Sequence, residues 1–389
     1  MTVRLAGVLA AMSTLLLVTL STGGRMYFLL FLVLSLMTAA GLASTLWTLF
    51  TLRTEYRGVK ERAKRGSVMA TAFTVRHTSL LPAGSLRLSV MAPSPGARLQ
   101  EVTVTSPPFV ARTFRHTLPC PHRGIYQAGV VRVTAMDAFG LFRFSRSSGL
   151  PLVQVEVFPE PEQTGVLPLG SADMGPEYIV RSTEDISSPS DLRSWQPGDS
   201  LKKVHWKLSL RKRELVVRTY EEGARPDTLI LPDLSEIVAL RDQRLTLEDA
   251  VCECALGAAK AQLEAGYPVS MPLVSARPAE LSARNTDGLG AFTDALMRVR
   301  FDAPRPYDQV LMMMLARMQR VGGVILVTAR LNARAADIAV RIVRMGVPVR
   351  LILVSDDLRD QAGEMEERLR MSGIALEKHD PGKRRAVRT

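Results

Sequence analysis

Residues 191–222 read DLRSWQPGDSLKKVHWKLSLRKRELVVRTYEE, and the interpretation of the whole chain starts from this stretch. Its Pro197 and Gly198 predict a turn, and Asp199 is a suitable N-cap for a short helix with apolar residues on one face. Six Lys or Arg residues between positions 202 and 213 gather around Trp206, so the helix also has a cationic face, and eight lie from Arg193 to Arg218. The end of the stretch alternates between apolar and polar residues, which is typical of a strand.

This basic stretch has two interpretations. Arg guanidinium groups grip phosphate oxygens and Trp rings stack on bases, so residues 193–218 are a candidate nucleic-acid or anionic-phosphate site. Alternatively, Trp206 is a buried anchor, Arg193 pairs with Asp199 or Glu214 inside the fold, and the lysines are solvated. We favour the structural interpretation, because a run of charge is weak evidence for a ligand.

The sequence shows no catalytic constellation. His205 with Asp191 or Asp199 is the one arrangement that would suit a hydrolase, and no Ser, Cys or second carboxylate joins it at a telling spacing. The chain also contains no P-loop, so any ATP hydrolysis linked to its function has to come from a partner. We therefore expect an interaction protein rather than an enzyme.

The stretch resembles the signature of the domain of unknown function 58 family, which consists of bacterial membrane-anchored proteins. The pattern is L-R-x-x-x-P-G-D, then V-H-W-K, then E-L-V-V-R and a nearby Glu. The matching residues are Arg193, Pro197, Gly198, Asp199, Trp206, Arg211, Glu214 and Glu221. The upstream segments RGIYQAG and DAFGLF, with Asp137, Phe139 and Gly140, also resemble the membrane-proximal β-domain of that family.

The resemblance implies a function and partners. Members are commonly encoded beside a MoxR-type AAA+ ATPase and often beside a transglutaminase-like membrane protein. We therefore expect a membrane-anchored scaffold that docks the ATPase in an assembly at the cell envelope, with the signature residues as its interaction motif. Membrane lipid is a further expected partner, and nucleic acid is the alternative.

Two apolar stretches at the N-terminus predict membrane helices. Twenty uncharged residues lie between Arg4 and Arg25, and 27 more lie between Arg25 and Arg53. Since about 20 helical residues cross a bilayer core, we expect helices at about 4–22 and 26–51, which form a transmembrane hairpin over residues 1–53. A cleaved signal peptide is the alternative for the first stretch, and the second would then remain as the anchor.

Charge and cysteine content predict the side of the membrane. Basic residues crowd the exit of the second helix, at Arg53, Arg57, Lys60, Arg62, Lys64 and Arg65. By the positive-inside rule both termini are therefore cytoplasmic, and the protein is a multi-pass protein of the plasma membrane. Three cysteines are too few for a disulfide framework, which agrees with a reducing compartment. The formal net charge of +12 leaves two interpretations open, contact with anionic lipid or a topology signal together with a solvated basic surface.

The middle of the chain predicts a β-sandwich-like, membrane-proximal domain over residues 54–160. Short alternating runs between turn signals are typical of antiparallel strands. The candidate strands are residues 68–75, 86–90, 102–105, 130–134 and 153–158. Gly124, Gly129 and Gly140 are expected to mark turns. His116, Cys120 and His122 lie close together in the sequence, but no fourth metal ligand is evident.

The C-terminal part predicts a doubly wound α/β domain over residues 226–380, after a linker and signature motif at 161–225 and before a basic tail at 381–389. Aliphatic strands that alternate with amphipathic helices indicate a parallel sheet covered on both faces. The expected strands are 228–231, 269–274, 324–327 and 349–354, and the expected helices are 247–263, 307–320, 333–345 and 357–371. Cys252 and Cys254 are expected to be packing residues of the first helix.

Ligands of such sheets bind at the carboxyl ends of the strands, which makes Asp233, Ser235, Thr328 and Ser355 the candidate site. The family's C-terminal half resembles a von Willebrand factor A domain, whose metal loop reads Asp-x-Ser-x-Ser, with a Thr-Asp after a later strand. In this sequence Ile237 replaces the second Ser and Ala329 replaces the Asp. We therefore expect a degenerate metal loop at Asp233, Ser235 and Thr328, with at most weak Mg²⁺ binding and no tightly held cofactor.

Overall fold

The computed structural model divides into two compact units, Met1–Phe158 and Pro159–Thr389. The structure describes residues 3–56, 61–79, 84–96, 98–169, 192–194, 209–211, 214, 216–218, 227–355 and 363–381.

Two apolar helices begin the first unit. Helix α1 spans Val3–Thr22 and helix α2 spans Arg25–Thr51, and they pack against one another. Gly23, with φ of 64°, makes the turn between them, a left-handed conformation that glycine adopts without steric cost. By length and composition both helices are able to cross a membrane.

The rest of the first unit is made of two sheets. Strands β1, β3 and β6 form a three-stranded sheet, and the order β2-β9-β7-β4-β5 forms a larger one, with β8 paired to β7. All pairs are antiparallel except β2 with β9. The strands are β1 (Arg53–Tyr56), β2 (Arg62–Lys64), β3 (Val68–Arg76), β4 (Ser85–Met91), β5 (Leu99–Val104), β6 (Arg112–Pro119), β7 (Gly124–Met136), β8 (Arg143–Ser147) and β9 (Val153–Phe158).

One apolar core joins the two sheets. Phe73 and Leu118 of the small sheet and Leu88, Val130 and Val155 of the large sheet belong to the same cluster of buried side chains. The buried residues of β3 alternate along the strand, and so do the buried apolar residues of β4, Leu86, Leu88 and Val90, which agrees with the period of two in their sequences.

The structure corrects the expected role of Gly129. It does not mark a turn, because β7 runs through it from Gly124 to Met136. The pairing of β7 with β4 shifts register between Ser89 and Val90, and Gly129 has φ of 149° beside this irregularity. The glycine therefore lies within the strand, two residues from a β-bulge or a similar irregularity at Val131. Gly140, with φ of 69°, does lie in a turn, between β7 and β8.

Helix α2 does not end in solvent. Its last turns bury Ser44, Thr45, Thr48 and Leu49, and α2 contacts β7 and β8 of the same unit. The Arg146 guanidinium donates a hydrogen bond to the carbonyl of Leu52, the residue that follows the helix. The end of the helix and the start of the β-sheets therefore form one packed body.

The second unit contains a six-stranded sheet in the order β14-β13-β12-β15-β16-β17. Five strands are parallel, and β14 is an antiparallel edge. Its strands are β12 (Thr228–Pro232), β13 (Val269–Leu273), β14 (Ala279–Ala283), β15 (Gly323–Thr328), β16 (Val349–Val354) and β17 (Ala375–His379). A separate hairpin pairs β10 (Leu192–Ser194) with β11 (Val216–Arg218).

Helices cover both faces of this sheet. The helices are α3 (Arg241–Glu264), α4 (Leu289–Arg298), α5 (Tyr307–Met318), α6 (Ala333–Arg344) and α7 (Gly363–Met371). Side chains of α3 and α4 share a core with Ile230 and Ile325, while α5, α6 and α7 share another with Leu229 and Leu326. Cys252 and Cys254 are fully buried in the first of these cores, as packing residues of α3.

Residues 159–169, which we call the strap, lie on α3 and on the sheet. The Glu162 amide donates to the Glu253 carbonyl oxygen at 3.0 Å, and Leu167 and Leu169 are buried in the core that α3 forms. Gln262 donates to the Leu167 carbonyl at 3.2 Å. The start of the segment assigned to a linker from the sequence is therefore part of the α/β unit.

Candidate functional site

The candidate site lies where the chain order of the parallel sheet reverses. From β12 the chain passes through α3 to β13 on one side, and it later returns to β15 on the other side. The connection that follows β12 leads to β13 on one side, and the connection that follows β15 leads through α6 to β16 on the other. Ligands of doubly wound sheets bind at the carboxyl ends of the strands where the order reverses in this way. Asp233 directly follows β12 and Thr328 ends β15, so both residues lie at this point of the sheet.

Hydrogen bonds hold the two strand ends together. The Thr328 hydroxyl lies 2.7 Å from Asp233 Oδ2 and donates to it, and the Ser235 amide donates to Asp233 Oδ1 at 3.0 Å. The Asp233 amide donates to the Val327 carbonyl at 2.8 Å. Three residues that the sequence analysis selected are thus in contact around one carboxylate.

Burial dominates the electrostatics of this carboxylate. It raises the pKa of Asp233 above its usual value, although hydrogen bonds from Thr328 and Ser235 and the charge of Arg330 act in the opposite direction. The phenol of Tyr307 is buried nearby and donates to the Leu231 carbonyl at 2.7 Å. Its pKa is raised well above the usual value by burial and by the charge of Asp233.

The loop from β12 to α3 is fastened at two points. Asp233 secures its beginning, and the Arg330 guanidinium donates to the Val238 carbonyl at 2.7 Å. Between these points the Ile237 side chain is buried in the core below. The Val238 and Leu240 side chains point outward instead, with 79% and 81% of their surfaces exposed. The loop therefore presents two apolar side chains on a fixed backbone.

The same hydrogen bonds affect the ability of Asp233 to bind a metal ion. Asp233 Oδ1 and Oδ2 already accept hydrogen bonds from the protein. The Ser235 hydroxyl makes no hydrogen bond of normal geometry. Within the described ranges no group of three or more His, Cys, Asp and Glu side chains is arranged to hold a metal ion.

Ser355 follows β16 and donates its amide to the His379 carbonyl at 3.1 Å, which continues the pairing of β16 with β17. Tyr307 and Arg330 belong to the site as well, although neither residue was predicted from the sequence. Tyr307 begins a helix 74 residues after Asp233, and only the fold brings the two together. Arg330 follows Thr328 by two residues. Its closeness to the expected end of the strand at 327 was therefore a signal in the sequence that could have identified it.

Most of the signature stretch lies outside the described residues. Pro197, Gly198, Asp199, Trp206 and Glu221 are in that part, as is His205. Arg193 lies in β10, opposite Val217 of β11. Arg211 and Glu214 are exposed.

The His-Cys-His segment of the first unit is packed among its neighbours. His116 Nε2 lies 3.0 Å from Gln100 Oε1, and burial lowers the pKa of the His116 imidazole. Burial also raises the pKa of the Cys120 thiol to about 11, although a backbone hydrogen bond at Met69 acts against it. His122 is buried as well.

Comparisons with known proteins give one family. The family described as "Protein of unknown function DUF58" matches residues 191–360. No curated protein matches the chain.

Solved structures show only weak likenesses. A CARDB domain from Pyrococcus furiosus is 14% identical with a TM-score of 0.21, over 27% of this chain and 91% of that one. A cohesin module from Clostridium perfringens is 7% identical with a TM-score of 0.20, over 28% and 96%. For a β-glucosidase from Listeria innocua the identity is 12% and the TM-score 0.19, over 27% of this chain and 16% of the enzyme. None of the three superposes closely enough to assign a fold.

Proposed function

Because residues 191–360 belong to the DUF58 family, we propose that the protein is a membrane-anchored, non-enzymatic scaffold whose α/β unit docks a MoxR-type AAA+ ATPase. The docking surface is the β12–α3 loop with its exposed Val238 and Leu240 side chains. The observation that carries this proposal is the double fastening of that loop, by Asp233 at its start and by Arg330 at Val238.

A fixed loop with exposed apolar side chains suits a binding role. Apolar side chains that are already held in place lose little conformational entropy when a partner covers them. The carboxylate beneath the loop is engaged by Thr328 and Ser235, so its oxygens serve the loop rather than a substrate. The signature residues Arg193, Trp206 and Glu221 extend the interaction motif in this proposal.

The proposal includes finer assignments of the fold. We assign the second unit to the von Willebrand factor A-like class, with Asp233, Ser235 and Thr328 as a degenerate metal loop that binds Mg²⁺ weakly at most. The parallel sheet with helices on both faces supports this assignment. We assign the first unit to a β-sandwich-like class, which the single core between its two sheets supports.

The anchor is the helical hairpin of α1 and α2, whose length and composition suit a membrane. In this proposal both termini are cytoplasmic, and a transglutaminase-like membrane protein is a second partner. Basic residues beside the end of α2, such as Arg53, contact anionic lipid.

The proposal is tested by affinity capture from native membranes. The full-length protein is compared with the double variant Val238→Asp, Leu240→Asp, and the AAA+ ATPase that co-purifies is identified by mass spectrometry. If these side chains are central to the interface, their loss weakens binding by about thirtyfold, which corresponds to about 2 kcal/mol.

A matched control is Met312→Asp, Met313→Asp. These side chains are also exposed, on α5, and their change leaves capture intact if the loop is the docking surface. Equal capture by all three proteins contradicts the proposed surface. Recovery of nucleic acid instead of an ATPase, with a steep loss as salt rises, favours the alternative function of residues 193–218.

A further inference from the structure

The turn between β7 and β8, residues 137–142, exposes an aromatic side chain on a rigid support. Asp137 Oδ1 accepts the Phe142 amide at 2.7 Å, and Oδ2 accepts the Phe139 amide at 3.1 Å. Gly140 adopts φ of 69° between them. Phe139 is nevertheless 50% exposed. The turn therefore leaves about half of a large apolar side chain exposed to its surroundings.

The turn lies beside both apolar helices. At Gly41 of α2, a β-carbon would stand 3.4 Å from Asp137 Oδ2. At Gly140, a β-carbon would stand 3.1 Å from Nη1 of Arg4, near the start of α1. Arg4 and Gly41 therefore mark the level on the helical hairpin at which the turn is located.

The length of the hairpin above this level is short for a bilayer. The stretch Arg4–Thr22 contains 19 residues, and about 17 residues of α2 lie between Arg25 and Gly41. At about 1.5 Å per residue these pieces measure about 25–28 Å, whereas a hydrocarbon core is about 30 Å thick. Any tilt of the helices shortens the distance further. If the hairpin spans the membrane, the boundary of the hydrocarbon falls at or beyond the β7–β8 turn.

We propose that the β7–β8 turn is inserted into the membrane interface, with Phe139 in the acyl-chain boundary and the exposed Arg143 at the lipid headgroups. The occupant of this surface is lipid, because the turn continues the apolar surface of α1 and α2 at a depth that their lengths set. An aromatic side chain and a basic one are the residues that favour this layer.

A second feature of the first unit agrees with this depth. Beyond Gly41, α2 turns Trp47 and Phe50 away from the β-sheets, and Phe50 is 79% exposed. About six to nine residues separate them from Gly41, or about 9–14 Å along the helix. An interface that reaches past the turn covers these rings too. In this arrangement the β-sheets contact the membrane surface directly and are not separated from it by a linker.

The test measures depth with nitroxide spin labels on the full-length protein in vesicles of phosphatidylglycerol and phosphatidylethanolamine. The three native cysteines are buried, so a label reacts at an introduced cysteine. Phe139→Cys and the neighbouring exposed Ala138→Cys report on the turn. Ile125→Cys, at the other end of β7 and about 35 Å away, is the matched control on the same strand.

We expect labels at positions 139 and 138 to collide severalfold more with oxygen, relative to an aqueous nickel complex, than the label at position 125. Labels at 139 and 138 that match the one at 125 overturn the inference. The inference rests on the proposed membrane anchor. A label at Val33→Cys measures separately whether α2 lies in the membrane. A lipid-exposed label at 33 with aqueous labels at 138 and 139 leaves the anchor standing, whereas an aqueous label at 33 removes both.

Discussion

Asp233 holds the β12–α3 loop through hydrogen bonds, and its carboxylate is desolvated in that position. This burial outweighs the favourable hydrogen bonds from Thr328 and Ser235 in setting the pKa of Asp233. Such a group binds its proton more tightly in the folded protein than in the unfolded chain. The folded state is therefore favoured as the pH falls towards the unfolded pKa of about 3.9, and it loses this contribution as the pH rises through the folded pKa.

The first prediction concerns Asp233→Asn, which keeps an acceptor for Thr328 but cannot ionise. We expect the stability of the wild type relative to this variant to increase as the pH is lowered from 7 to 4. Urea unfolding of both proteins in detergent at several pH values measures it. At pH 7, Asp233→Ala serves as a reference and costs about 1–3 kcal/mol, because it leaves the Ser235 amide without its acceptor and removes one hydrogen bond of the Thr328 hydroxyl. A relative stability that is constant or falls towards acid contradicts the prediction.

The second prediction concerns Cys120, whose thiol has a pKa of about 11 because it is buried. At pH 8 only about one thiol in a thousand is ionised, and the thiolate is the reactive form. We expect iodoacetamide to leave Cys120 unmodified in the native protein and to alkylate it after unfolding in urea. Peptide mass spectrometry distinguishes the two states. Rapid alkylation of the native protein at pH 8 would mean that the β-sheets open at this residue.

At the scale of elements, the hydrophobic pattern was most informative for strands with a clear pattern of burial. Strands β3, β12, β15 and β16 were predicted within one or two residues. Strand β3 alternates between buried and more exposed residues, whereas the other three are aliphatic runs that are buried almost throughout. Strands β6 and β8 were not predicted. Their sequences are mostly exposed and carry several Arg and Ser residues, so pairing with β3 and β7 makes them strands, and composition does not.

The strap and α3 also illustrate a contact that no local pattern reveals. At Gly257 of α3 a β-carbon would overlap the carbonyl oxygen of Glu162. The glycine lowers the intrinsic stability of the helix, and it is needed because the strap approaches the helix backbone at this point. Glycine in a helix was visible in the sequence, whereas the segment that lies on it is about 95 residues away.

The third prediction follows from this contact. We expect Gly257→Ala to destabilise the protein by about 1–3 kcal/mol, because the added methyl group has to displace the strap. Gly290→Ala is the matched change, since nothing lies within 4 Å of a β-carbon there in α4. That substitution should be neutral or stabilise by up to about 1 kcal/mol. Thermal unfolding of both variants in detergent measures this difference. If Gly257→Ala and Gly290→Ala are equally stable, the strap is not held against α3.

At the scale of the whole molecule, membrane attachment and the candidate site differ in how far the sequence predicted them. Charge and hydropathy are summed along the chain, so the two apolar helices were recognisable at once. The candidate site, in contrast, is predictable only if the order of the strands in the sheet is known. Asp233, Ser235 and Thr328 were selected because strand ends share one edge of a parallel sheet, while Tyr307 was missed because it reaches that edge from the start of a helix.

The fourth prediction concerns the orientation that we propose for the hairpin. Alkaline phosphatase requires disulfides and is active only outside the cytoplasm. We expect a phosphatase fused after Thr389 to be inactive and one inserted between Gly23 and Gly24 to be active. A fluorescent protein at each position should give the opposite pattern. Active phosphatase at the C-terminus would reverse the orientation, and activity at neither position would contradict the hairpin.

The strap also has a consequence for synthesis of the chain. Leu167 and Leu169 cover Gly323 of β15, which the ribosome reaches about 150 residues later. At about 5–20 residues per second, these leucines wait roughly 8–30 s for the strand that buries them. During that interval the nascent chain displays a short apolar segment whose native burial is incomplete, even after α3 has been made. We therefore expect chaperones to bind the strap at this stage of translation.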